Sequence, residues 1–163
     1  MTTTASPITL QQGEGEGLWF LGALGLIKAP STATGGAVTV TEWLAPEGHA
    51  SPLHVHHSEN EWFYVLEGEL TFWVAGAVTV AGPGAFVFGP RDVPHTFFVS
   101  SPEARFLVVT EPGGFEGFLR ALSEPATSMT LPPASVQPPA PEAMMAAAAE
   151  YGIEILGPPG IPA

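Results

Sequence analysis

From Leu18 onward, short apolar runs are separated by breaks rich in glycine and proline. Gly36-Ala37-Val38-Thr39-Val40-Thr41-Glu42-Trp43-Leu44 switches between apolar and polar residues, the mark of a strand with one buried face. Leu18 to Ile27 reads as one or two strands bent at glycines. Leu53–His57, Glu61–Leu66, Leu70–Val74, Ala77–Val80, Ala85–Phe88, His95–Val99 and Ala104–Thr110 read as further short strands. Glu67-Gly68-Glu69, Ala81-Gly82-Pro83-Gly84 and Gly89-Pro90 punctuate them as turns. Strands this short, repeating every 8–12 residues or so, predict an all-β sandwich or barrel.

The period changes after Pro112. Phe115, Phe118, Leu119 and Leu122 fall on one face of a predicted helix. Pro125 to Pro141 is rich in Pro, Ala and Ser and reads as an extended surface linker. Glu142 to Tyr151 is a second predicted helix, entered through Pro141 and stopped at Gly152, and Gly157-Pro158-Pro159-Gly160 reads as a tail. The expected organisation is a flexible lead-in over 1–17, a β-barrel over 18–111, and a C-terminal helical appendage with a Pro-rich linker over 112–163.

Composition narrows the function. The chain of 163 residues carries a net charge of -12 with only four basic residues, Lys28, Arg91, Arg105 and Arg120, scattered along it. A nucleic-acid surface needs clustered cations, so that class is excluded, and adsorption to an anionic membrane is disfavoured. There is no cysteine, which removes disulfides, thiolate metal sites and thiol nucleophiles. The N-terminus lacks the pattern of a signal peptide, and Leu18–Ile27 falls short of the roughly 20 apolar residues that span a bilayer. A cytoplasmic location is expected.

Four of the five histidines, His49, His54, His56 and His57, lie within nine positions. His54 and His56 are two apart in an extended segment and leave the same face of a sheet. Glu61 starts the next strand in phase with Phe63 and Val65, which points it into the same interior. Two imidazoles and a carboxylate converging in this way suit one divalent transition metal: Fe, Mn, Co, Ni, Cu or Zn. His95, at the head of a distant strand in phase with Phe97 and Val99, is the expected fourth ligand. His57 is out of phase and His49 sits in a loop, so both are expected at the surface.

These residues resemble the cupin family. Gly48, five residues, His54-Val55-His56, four residues, Glu61, six residues and Gly68 match its first motif at every fixed position. Gly84, five residues, Pro90 and His95 follow the second, with Asp92 where the family has glycine and Val99 where it has asparagine. The resemblance implies a double-stranded β-helix (jelly-roll) barrel with short C-terminal helices, and His54, His56, Glu61 and His95 as metal ligands. Trp19-Phe20-Leu21-Gly22, Pro112-Gly113-Gly114-Phe115 and Tyr151 to Pro158 are similar to single cupins grouped with bacterial quercetinase.

That likeness implies a metal-dependent dioxygenase opening a flavonol or another enolisable aromatic, with Glu61 accepting the proton of the substrate hydroxyl. Phe63 and Phe97 are the candidates for the substrate wall, whereas Phe72 and Trp73 read as barrel core. Two other readings stay open: an isomerase or decarboxylase of a small acid, for which only Arg91 and Arg105 could hold the anion, and a binding module without turnover. The expected partners are an aromatic small molecule and dioxygen. A homodimer is also expected, through Leu18–Ile27 and Glu142–Tyr151.

Overall fold

Alternation builds both sheets. In β3 (Thr39–Pro46), β5 (Asn60–Glu67) and β10 (Glu103–Glu111) every second side chain is buried for most of the strand, so each offers one face to the interior and one to water. The computed structural model describes residues 5–163, so Met1 to Thr4 of the expected lead-in lie outside the described residues. β1 (Glu16–Phe20) and β2 (Ala23–Ala29) form a hairpin across Leu21-Gly22. With β3, β10, β5, β8 (Phe86–Gly89) and a two-residue β11 (Glu124–Pro125) they form an antiparallel sheet in the order β11-β1-β2-β3-β10-β5-β8. The second sheet runs β12 (Ile153–Pro159), β4 (Pro52–His56), β9 (His95–Val99), β6 (Leu70–Val74) and β7 (Ala77–Ala81). The two sheets close on a common core that includes Phe63, Val65, Leu70, Phe72, Val99 and Phe106. This is the all-β jelly-roll barrel, with two short helices, α1 (Phe115–Leu122) and α2 (Pro141–Glu150).

Three elements differ from the sequence reading. Most of the expected tail belongs to a strand: β12 runs through Pro159, with Gly157 and Pro159 paired to Leu53 and Pro52 of β4, after Ile153 and Ile155 pair with His56 and His54. Pro158 and Pro159 hid it, yet proline is tolerated here because β12 is an edge strand. The Pro-rich linker is more than a spacer. Trp19 donates its indole N–H to the Thr130 carbonyl at 2.9 Å, and Ala126 and Val136 pack on Trp19, Leu24 and Leu26. That covering also corrects the expected dimer surface, since Leu18, Trp19, Leu24, Leu26 and Ile27 are already buried within their own chain. An exposed apolar row lies on the outer face of the β5–β8 edge, where the Trp62 and Phe88 rings meet at 4.5 Å with a tilt and Tyr64 pairs with Phe86.

Helix α1 carries a buried carboxylate. Glu116 is only 3% exposed and accepts hydrogen bonds from the Ser31 N–H (2.8 Å), the Ser31 hydroxyl and the Thr39 hydroxyl. It thereby ties the helix to β3 and to the loop before it. Burial alone would raise its pKa, but these donors outweigh burial and hold it below the ordinary value. A carboxylate depressed in the folded state stabilises above its unfolded pKa, and the contribution is lost as pH falls through the folded value. Glu116→Gln should therefore cost about 2 kcal/mol at pH 7, the scale of hydrogen bonds to a charged group. Urea melts should show the gap between wild type and variant shrinking steadily below pH 4.5 or so, the ordinary carboxyl range.

Candidate metal centre and its cavity

Strand β4 delivers His54 and His56 to one face because residues two apart in a strand share it. In the ladder between β4 and β9, His54 lies directly opposite His95. Glu61 arrives from the other sheet, on β5, sharing its inner face with Phe63 and Val65. The site thus lies where the two sheets face each other, and its four ligand atoms all fall within 4.8 Å of one another. The His95 Nε2 to Glu61 Oε2 distance is 2.8 Å, His56 Nε2 to Glu61 Oε2 is 3.3 Å, and His54 Nε2 to His56 Nε2 is 3.1 Å. Gly89 lets the His95 ring in, because a Cβ there would come within 3.3 Å of it.

Backbone carbonyls set the tautomers. His54 donates its Nδ1–H to the Pro52 carbonyl at 2.7 Å, and His95 donates its own to the Val93 carbonyl at 2.9 Å. Each ring then presents a bare Nε2 to the centre, the arrangement in which metal-binding histidines are held. The His56 Nδ1 is buried without a hydrogen bond, although Glu59 Oε1 lies 3.3 Å away.

Electrostatics calls for a cation. Burial, then the neighbouring rings of His95 and His56, push His54 down to about 3. Burial also works against the charged form of His56, yet the carboxylates of Glu61 and Glu59 overcome it and raise that ring to about 10. Burial would raise Glu61 too, but His56 and His95 hold it well below the usual carboxylate range. Two adjacent imidazoles pushed apart in this way, around an ionised buried acid, form a centre that stabilises positive charge. Three imidazole nitrogens and one carboxylate oxygen fit a divalent transition metal.

The cluster opens into a cavity that is partly open to solvent. Its walls are largely apolar, with Phe20, Trp43, Phe63, Phe97, Phe106 and Phe115 among them. Both phenylalanines singled out from the sequence, Phe63 and Phe97, line it, whereas Phe72 sits behind them in the core. Ile153 and Ile155 of β12 and Phe118 of α1 complete much of the rest.

Other positions refine the sequence reading. His57 does face away, with its ring between Asp92 (2.7 Å) and Glu154 (2.9 Å). Asp92, standing where the cupin motif has glycine, adopts the left-handed φ of 63° that the glycine would supply, a conformation aspartate tolerates better than most residues. His49 was expected at the surface. It lines the cavity instead, with its ring 5.8 Å from that of Phe97. Glu59 is 5% exposed and backs His56. A glutamate in an irregular turn carries no periodic signal that would single it out.

Comparisons agree with this geometry. The Cupin domain family matches residues 41–110, the span that holds all four cluster residues. Quercetin 2,3-dioxygenase of Bacillus subtilis (strain 168) is 34% identical over 121 residues, 74% of this chain and 36% of that protein. Quercetin 2,3-dioxygenase of Aspergillus japonicus is 31% identical over 114 residues, 66% of this chain and 32% of that protein. The chain therefore spans about a third of the length of these relatives. Among solved structures, an RmlC-like cupin from Shewanella frigidimarina shares the fold at 18% identity and a TM-score of 0.59, covering 69% of this chain and 96% of that one. A predicted oxalate decarboxylase from Thermotoga maritima does so at 18% identity and a TM-score of 0.60, covering 64% and 99%. Among the described residues no helix is long and apolar enough to cross a membrane. Motif, topology and site together place a cupin domain in this chain, which resembles the quercetinase-like proteins.

Proposed function

We propose that the chain is a metal-dependent dioxygenase that opens the ring of a flavonol or a related enolisable aromatic. The observation that carries this reading is a three-histidine, one-glutamate cluster at the end of a largely apolar cavity, in a chain 34% identical to a quercetin 2,3-dioxygenase. His54, His56, Glu61 and His95 would hold the ion. A divalent cation bound there would act as a Lewis acid toward the substrate hydroxyl.

The remaining work falls to this chain's own groups. Glu61, ionised and able only to accept, takes the hydroxyl proton on Oε. Its neighbours His56 and His95 hold the carboxylate in place. Phe63 and Phe97 flank the flat substrate, and the apolar walls exclude water, so that the electron-rich enolate meets dioxygen rather than a proton.

The reading as a small-acid isomerase or decarboxylase has less support. Among the described residues no Lys or Arg lines the cavity, and Arg105 is bound to Glu42 at 2.7 Å. A homodimer belongs to the proposal as well, with the row formed by Trp62, Tyr64, Phe86 and Phe88 as the contact. A 17.0 kDa species by light scattering at all concentrations would remove that part.

Incubating quercetin with protein loaded in turn with Mn, Fe, Co and Ni should give oxygen uptake with at least one ion. Phe63→Ala should weaken substrate more than turnover. Absence of uptake with every ion would refute the dioxygenase reading.

A further inference from the structure

Polar groups in the cavity are concentrated at its metal end. Elsewhere on the wall, the Trp43 indole N–H is used by the Thr41 hydroxyl at 2.9 Å, and the Ser51 hydroxyl is engaged by Thr96 and the Phe97 N–H at 3.2 Å each. His49 is the exception. Among the described residues no side chain hydrogen-bonds to its ring, and the Leu21 backbone is the polar group beside it. Its position is fixed by its backbone, since His49 N–H donates to the Pro46 carbonyl and the His49 carbonyl accepts from the Val99 N–H. Val99 is four residues along β9 from His95, so the two histidines are anchored about 13 Å apart along the strand direction.

We propose that His49 is a recognition point for a hydroxyl on the part of an aromatic substrate farthest from the metal cluster. The inference rests on the aromatic-substrate reading above and adds to it the chemical requirement at the distal end.

Burial pushes the ring down to about 4, so it is a neutral imidazole at pH 7. A neutral imidazole has one donor and one acceptor. The Leu21 backbone favours a ring N–H on the side that faces it, which leaves the other nitrogen to accept. The group it recognises must therefore donate, as a phenolic hydroxyl does. A carboxylate or an ether only accepts, and among the described residues no Lys or Arg lines the wall to hold an anion. Phe97 lies between the His49 and Phe63 rings, 5.8 Å from the first at a tilt and 5.9 Å from the second edge-on, and supplies apolar wall along which such a molecule would lie.

The test uses metal-loaded protein under nitrogen, so that binding is read without turnover. Tryptophan quenching gives Kd for quercetin and for 3-hydroxyflavone, which keeps the oxygens at the metal end and lacks the distal hydroxyls. The ratio of the two constants, compared between wild type and His49→Phe, cancels the difference in apolarity between the ligands. It should shift about tenfold against quercetin in His49→Phe, the scale of one neutral hydrogen bond, and His49→Gln, which retains an acceptor, should recover part of it. Metal content and thermal melting of both variants establish that the barrel is intact. If wild type binds both compounds and the ratio does not move in His49→Phe, this inference is overturned while the dioxygenase reading survives. If wild type binds neither compound, both are overturned.

Discussion

His95→Ala should lose its metal on dialysis, bind added Co or Mn more than 100-fold more weakly than wild type, and show turnover at background. The bound is conservative, since groups that merely orient a ligand cost about 10–100-fold when removed. His95 is 1% exposed, sits opposite His54 across the ladder between β4 and β9, and places Nε2 2.8 Å from Glu61 Oε2. Its loss removes one of three imidazoles and also a partner of a buried carboxylate. The metal-free variant should therefore lose stability by about 1–3 kcal/mol, the cost of leaving a buried polar group without its partner. Elemental analysis after dialysis, with urea melts of the metal-free proteins, reads both effects. Retention of one ion per chain by His95→Ala would remove that residue from the site.

Gly68→Ala should be the most damaging single change outside the metal centre. Gly68 turns β5 into β6 at a φ of +76°, and a Cβ there would stand 2.2 Å from the Glu103 carbonyl oxygen and 2.8 Å from the Ala104 Cα. Both contacts are backbone at the start of β10 and cannot rotate away. The left-handed conformation costs alanine about 1–2 kcal/mol, and forcing a methyl against backbone adds about 1–3 kcal/mol. Domains of this size hold only about 5–15 kcal/mol in all, so the variant should be grossly destabilised. Gly76→Ala is the matched control, with φ +91° and no atom within 4 Å of its Cβ, so only the conformational cost applies. Equal urea midpoints for the two variants would show that contact with β10 is not what requires glycine at position 68.

The barrel strands were legible because each was bounded by glycine or proline, and the buried faces of β3, β5 and β10 follow a period of two. The site was legible for the same reason. His54 and His56 in phase, Glu61 in phase with Phe63, and His95 at a strand head are local statements that long-range pairing then brings together. What escaped depends on pairing that no local period records. β12 carries Gly157, Pro158 and Pro159 and is a strand only because β4 offers it an edge partner. His49 lies in a loop, where alternation does not apply, and its surroundings, the turn at Leu21 and the Phe97 ring among them, come from distant parts of the chain. Glu116 occupies a position between the apolar residues of α1, where a carboxylate reads as solvated. It is buried because Ser31 and Thr39 supply three donors.

Everything turns on whether His54, His56, Glu61 and His95 grip one ion. X-ray absorption on protein loaded with one equivalent of cobalt counts those ligands directly. The account predicts three imidazole nitrogens, recognisable by their multiple-scattering pattern, with oxygen in the remaining shell, and two imidazoles in His95→Ala if any metal stays. A shell of one imidazole or none in the wild-type protein would contradict it.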